Sequence, residues 1–225
     1  MSRDNWPVLA MLKRDTVLAF RQTGDWALPT SFFALVLVVL PLGLGLEPTT
    51  LESMAPGLFW VTALLSAMMA VPQLFRADWD NGTLDQWVVA GIPLWLVAST
   101  RVLVHWVFSV LPLLALTPLL GLGYGLTTGA TVWLVASLAL GSPALVCLGG
   151  LGAALTLGVR NGGLLVVLLV MPLCTPVLVF GAGTVHAYTA GLSVESPLSL
   201  LAAISLASCA ILPPAMGLAL RIAVE

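Results

Sequence analysis

The chain has 225 residues, 60% of them hydrophobic and only 8% charged, with a formal net charge of -2. A soluble domain carries roughly 25% charged residues, so this chain has too few to coat a water-facing surface and reads as an all-α integral membrane protein. The slightly acidic balance leaves no basic surface for nucleic acid.

The chain opens with a polar stretch that predicts an amphipathic helix over 6–22. At about 100° per residue, Val8, Leu9, Leu12, Thr16, Ala19 and Phe20 share one arc, with Arg14, Asp15, Arg21 and Gln22 opposite. Lys13 falls on the apolar side, where its stem can snorkel. Trp6 and Trp26 suit the rim of a bilayer, so the helix is expected to lie in the interface and feed the first span. The first apolar run starts late and lacks a small-residue cleavage pattern, which reads as no cleavable signal peptide.

Each span needs about 20 apolar residues. Six candidates follow, over 27–46, 55–74, 94–122, 131–159, 162–183 and 198–223. With six spans, all eight Lys and Arg residues fall on one side: Arg3, Lys13, Arg14, Arg21, Arg76, Arg101, Arg160 and Arg221. The opposite loops hold Glu47, Glu52 and Glu195. The basic side is the cytoplasmic side by the positive-inside rule, which puts both termini inside.

Between spans two and three lies a polar island, from Phe75 to Trp87, within a segment expected over 75–90. Phe75 and Trp79 are four apart and share a helical face. Asn81-Gly82 breaks that helix, and Gly82 supplies the turn. Thr83 and Gln86 have capping-box spacing: the Thr83 hydroxyl accepts from the Gln86 amide, and the Gln86 side chain returns to the Thr83 amide. Pro93 ends the second short helix. A solvated loop does not need Phe75, Trp79, Leu84 and Trp87, so these groups are expected to bury against headgroups or protein.

Small residues punctuate the later spans. Gly149/Ala153 and Gly150/Ala154 are pairs that let helix backbones approach. Span five carries Pro172 and Pro176, which predict a kink or break that serves as a hinge, a cavity wall or a static bend. Pro213-Pro214 does the same in span six. The 182–197 connection is expected to be the longest outward loop, with short helices dipping toward the bilayer and His186 solvated. Cys147, Cys174 and Cys209 sit singly in apolar spans without a Cys-x-x-Cys pair, which disfavours thiol redox chemistry and covalent haem attachment.

No metal set or catalytic pair such as His-Glu-x-x-His stands out, and there is no phosphate loop of the form G-x-x-x-x-G-K-[ST]. An intramembrane enzyme is disfavoured, and so is ion-coupled transport, because no buried carboxylate marks a coupling site. His105 is the exception, one turn past Arg101 near the inner interface. It ligates haem iron, relays a proton or only hydrogen-bonds to a neighbouring helix, and the residues leave these open.

Arg76, Gly82-Thr83-Leu84 and Gln86, with a proline soon after, resemble the coupling segment of ABC-2-type transporter permeases. The fuller string Phe75-Arg76-x-Asp78-x-x-x-Gly82-x-Leu84-x-Gln86 is similar to the haem exporter B (CcmB) family of cytochrome c maturation. So are Pro41-Leu42, Trp60-Val61-x-Ala63-Leu64-Leu65-Ser66, His105-Trp106, Gly141-x-Pro143 and Pro172-Leu173. Ala77, Asp85 and Asn161 depart from that pattern. The resemblance covers nearly the whole chain as one membrane domain, 1–225. It implies six spans, an N-terminal elbow helix, and a cytoplasmic helix seated in a separate ABC ATP-binding subunit that holds the ATP. It implies a bacterial inner membrane, a second copy of this chain, small haem-handling membrane proteins and a periplasmic haem chaperone, with haem as client. By that resemblance Phe75, Arg76, Asp78, Gly82, Thr83, Leu84 and Gln86 are the ATPase-contact candidates; it places no haem site, and His105 is a candidate for a haem contact only as an ionisable residue within a span. Two alternatives share these features: an ABC-2 exporter for a lipid, polyketide or peptide, and a scaffold that only assembles haem-handling partners.

Overall fold

The computed structural model describes residues 6–21, 23–45, 47–159 and 162–224. Readings that rested on Arg3, Gln22, Leu46, Arg160 and Asn161, and on the side chains of Trp6, Val8, Leu9, Arg21 and Trp26, lie outside what is described. Helix α1 (Trp6–Arg21) leads into α2 (Thr23–Leu44) and α3 (Pro48–Ala70). A 3-10 turn, Val71–Gln73, then feeds two short helices, α4 (Arg76–Asp80) and α5 (Thr83–Val89). Four long helices complete the chain: α6 (Leu94–Gly123), α7 (Thr128–Leu155), α8 (Gly162–Thr189) and α9 (Glu195–Val224). Among the described residues there is no strand.

Among the described residues, six helices are long and apolar enough to cross a membrane. At 1.5 Å per residue, each of them matches or exceeds a hydrocarbon core of about 30 Å. Their outward faces carry bare aliphatic side chains: Leu35, Val39 and Leu42 on α2, Leu164 and Leu168 on α8, Leu206 and Ile211 on α9. Lipid is the solvent that suits such faces. Six crossings bring α1, α4, α5 and the end of α9 to one end of the bundle. The contacts agree, since α1 packs on α6 and α5 packs on α9.

Helix α7 is the spine, with α6, α8 and α9 packed around it. Without a hydrophobic drive between helices in lipid, close packing of small residues has to supply the association. A Cβ on Gly149 would come within 2.8 Å of Val71, and one on Gly152 within 2.5 Å of Val170. Trp60 of α3 is wholly buried between two glycines: a Cβ at Gly141 would meet its ring at 2.5 Å, and one at Gly181 at 2.1 Å. Its indole N–H donates to Ser137 Oγ at 3.3 Å, which satisfies the one polar atom the ring carries into the core.

Three expectations are corrected. The 182–197 segment is not a long loop. Helix α8 runs to Thr189 and α9 starts at Glu195, leaving a five-residue turn, 190–194. Thr184 and Thr189 return their hydroxyls to Phe180 and His186 carbonyls, so their polarity is absorbed inside the helix rather than signalling its end. Helix α8 runs unbroken through Pro172 and Pro176, and α9 through Pro213-Pro214, which removes the break from the expected kink or break. Membrane helices tolerate proline because neighbouring groups re-satisfy the freed carbonyls. The second span begins earlier than expected, because Pro48 occupies the first helical turn after an extended Glu47, where a proline costs no hydrogen bond.

The Trp60 seat gives a stability test. Gly181→Val should lower the stability of the purified protein by about 1–3 kcal/mol, the usual cost of overpacking. Gly183→Val, where an added Cβ meets nothing within 4 Å, should change it far less. Thermal unfolding followed by tryptophan fluorescence reads both, and equal midpoints would refute the packing account.

Candidate functional site

The polar island folds back on its own protein. Phe75 is fully buried and precedes α4; the Trp79 amide donates to its carbonyl at 3.1 Å. Trp79 reaches across to the turn after α7, where Gly158 has φ +80° and an added Cβ would sit 3.3 Å from the ring. Only glycine fits there on both counts. Helix α4 ends at Asp80 with Asn81 as its cap, and Gly82 takes φ +64° to reverse the chain into α5. Leu84 is fully buried, while Asp85, Gln86, Val88 and Val89 are exposed, Val89 by 89%.

The centre of the site is a group of four charges. Asp78 is 2% exposed. Its Oδ1 accepts from Arg14 Nη2 of α1 at 2.9 Å, and its Oδ2 accepts from Arg101 Nη2 of α6. Arg101 Nε in turn lies 3.5 Å from Asp15 Oδ2 of α1. The Arg14 guanidinium stacks 5.0 Å above the Trp87 ring of α5, a cation–π contact. One set of side chains thus joins α1, α4, α5 and α6. Two positive and two negative charges balance, as a desolvated cluster requires.

Asp15 is the strained member. It is 4% exposed, its Oδ1 has no hydrogen-bond partner, and Arg101 Nε has none either. Burial pushes its carboxyl above the ordinary value, against the lowering pull of Arg101 and Arg14, and Asp78 adds to the rise.

The expected contact residues separate into two groups. Arg76 and Gln86 face outward, Arg76 pairing with Asp80 at 3.2 Å on the surface. Phe75, Asp78 and Leu84 face inward. Gly82 makes the turn and Thr83 is half-buried at the start of α5. The capping box does not form: Gly82 takes the cap position with no side-chain cap bond, so Thr83 is already inside the helix. A left-handed cap moves the helix start one residue back and carries the Thr83 hydroxyl out of capping register.

The amphipathic reading of α1 needs a second correction. Met11 and Asp15 are buried while Phe20 is 67% exposed. The face turned to the bundle therefore holds the carboxylate, which was expected on the polar side. Phe20 instead meets Phe108 of α6 edge-on at 4.9 Å, and Lys13 is exposed. Sequence reasoning missed Arg14, Asp15 and Arg101 as a set. The available signal was Arg101 itself, a lone arginine within the first turns of a span, which needs a named partner.

A cleft of about 420 Å³ opens beside the cluster, between α1, α2, α3 and α6. Asp15, Arg101, His105 and Ser109 line it together with Leu18, Leu28, Met69 and Phe108. His105 is partly exposed, and its Nε2 lies 3.5 Å from Ser109 Oγ. His186 is exposed at the opposite end of α8, as expected.

The profile of the CcmB protein family matches residues 7–223. The chain is 45% identical over 213 residues to heme exporter protein B of Paracoccus denitrificans, covering 95% of this chain and 98% of that one. It is 41% identical over 214 residues to the Pseudomonas aeruginosa protein of the same name, covering 95% and 96%. The Haemophilus influenzae protein is 39% identical over 219 residues, covering 96% and 98%.

Two measurements probe the cluster. Asp78→Ala removes the buried carboxylate that Arg14 and Arg101 share and leaves two guanidiniums against Asp15 alone, so it should cost about 3–5 kcal/mol, whereas Asp80→Ala, from an exposed pair, should cost about 0–1 kcal/mol. Denaturant titration in detergent checks both, and similar losses would contradict the burial argument. The second is a pH scan. The folded protein keeps the Asp15 proton at a pH where the unfolded chain has released it. Asp15 therefore removes stability as pH rises from the unfolded value of about 3.9 through the raised folded one. Asp15→Asn should abolish that downward contribution to the thermal midpoint in this window. Parallel pH profiles for wild type and variant would rule it out.

Proposed function

This chain belongs to the CcmB protein family, and from that premise we propose that it is the membrane subunit of a haem exporter serving cytochrome c maturation, driven by ATP hydrolysed on a separate subunit. It spans the bacterial inner membrane with both termini in the cytoplasm and works with a second copy of itself. Small haem-handling membrane proteins and a periplasmic haem chaperone complete the assembly. The sequence holds no phosphate loop of its own, which is why the hydrolysis is assigned to the partner.

One observation carries the mechanical part of this reading. The α4–α5 segment presents Arg76, Asp80, Asp85, Gln86 and Val89 outward, while Asp78 ties its inner side to α1 and α6. The outer strip is mixed in charge with an exposed valine at its end, a pattern that suits a groove on a soluble ATP-binding subunit. Phe75 and Leu84 anchor the segment from behind. Gly82 and Thr83 set the angle between the two short helices. When nucleotide binding moves the partner, the docked segment moves with it. The ion pairs of Asp78 carry that displacement to the elbow helix α1 and to α6, which tilts as one rigid rod.

Membranes expressing both subunits test this. Gln86→Lys combined with Asp85→Lys should lower retention of the ATP-binding subunit at least tenfold, equivalent to about 1.4 kcal/mol, with membrane insertion unchanged. Arg101→Lys should retain the partner and its basal ATP hydrolysis but lose haem-dependent turnover, because a lysine cannot bridge two carboxylates in fixed geometry. Normal retention with the first variant would sink the docking strip, and normal turnover with the second would sink the relay.

A further inference from the structure

Helix α6 places Arg101, His105 and Ser109 at four-residue spacing, so they form one stripe. The stripe runs from the charge cluster into the bundle and makes one wall of the 420 Å³ cleft. That volume lies within the roughly 300–1,000 Å³ of small-molecule sites. The other walls are Leu18 of α1, Leu28 of α2 and Met69 of α3, with Phe108 beside the histidine. The cleft is therefore charged at one end and apolar along its length. Exposed leucine beside it opens it toward lipid, since Leu28 is 60% accessible.

His105 stands where these two characters meet. Among the described residues its one hydrogen-bond contact is Ser109 Oγ at 3.5 Å, at the long limit for such a bond. A histidine placed only for structure would be held more firmly. Neutral imidazole is the commonest side-chain ligand for a transition metal and a standard axial ligand for haem iron.

We propose that this cleft receives haem as substrate and that His105 is the residue that ligates its iron. The imidazole lone pair fills an open axial position on the iron, and no electron is transferred. The apolar walls take the macrocycle, and the arginine end of the cleft faces its carboxylates. This site rests on the haem-exporter reading above; retention of the ATP-binding subunit is measured separately, so the two fail separately.

The test is a titration of the purified full chain, held with its ATP-binding subunit in lipid nanodiscs, using ferric haem and metal-free protoporphyrin as probes. Wild type and His186→Ala should give the same shifted Soret band. His105→Ala should lose that band and bind ferric haem at least tenfold more weakly, and added imidazole should restore the band. Metal-free protoporphyrin, which needs no axial ligand, should bind wild type and His105→Ala alike. Leu28→Trp, which narrows the cleft from its α2 wall, should weaken both probes. An unchanged Soret band in His105→Ala would overturn the proposal. So would a lost band that imidazole fails to restore, or haem binding no stronger than to empty nanodiscs.

Discussion

The Asp78 carboxylate lies between two guanidinium groups that belong to different helices, Arg14 on α1 and Arg101 on α6. Taking a carboxylate out of water costs several kcal/mol, and only good paired geometry offsets it. Asp78 cannot turn outward without leaving Arg101, itself only 16% exposed at its side chain, beside an already under-satisfied Asp15. The short α4 helix is therefore fixed to both neighbours. A five-residue helix has no stability of its own, so these pairs, with Phe75 and Trp79, determine where it sits. The position of α5 and its exposed strip follows through Gly82.

Rigidity elsewhere makes that attachment useful. Helix α7 packs against its neighbours through glycines that leave no room for a Cβ, and Trp60 fills the space between Gly141 and Gly181. Interiors packed in this way shift as units rather than deform. Arg101 ties α4 to the thirty-residue helix α6 through Asp78, and it reaches α1 through Asp15. The cleft beside the cluster is walled by these same helices, so a shift of α1 against α6 changes its width. The α4–α5 segment, α1 and the cleft are thus neighbours in one packed unit.

Much of the fold was legible from local rules. Apolar runs of span length and the one-sided placement of Lys and Arg identify six spans and their even count. The elbow helix and the pair of short helices follow from periodicity and from Asn81-Gly82. What was not legible is tertiary. A 100° projection places Asp15 with the other polar residues, because it cannot know that Arg101 waits on the buried side. The Thr83/Gln86 spacing satisfies a capping rule, yet Gly82 in the left-handed region takes the cap. The prolines of α8 read as a kink or a break because the rule was learned in water, where no neighbouring helix supports the freed carbonyls. Asp78 was legible as important within its motif, but its direction, inward rather than toward a partner, required the structure.

The central claim is that Asp78 and Arg101 act as one energetic unit joining the α4–α5 segment to the third span. A double-mutant cycle between Asp78→Asn and Arg101→Gln, read as unfolding free energy and as ATP turnover of the assembled complex, measures that coupling directly. The account predicts strong non-additivity, with the double variant no worse than the worse single one and a coupling of about 1–3 kcal/mol. Additive losses in both readouts would contradict it.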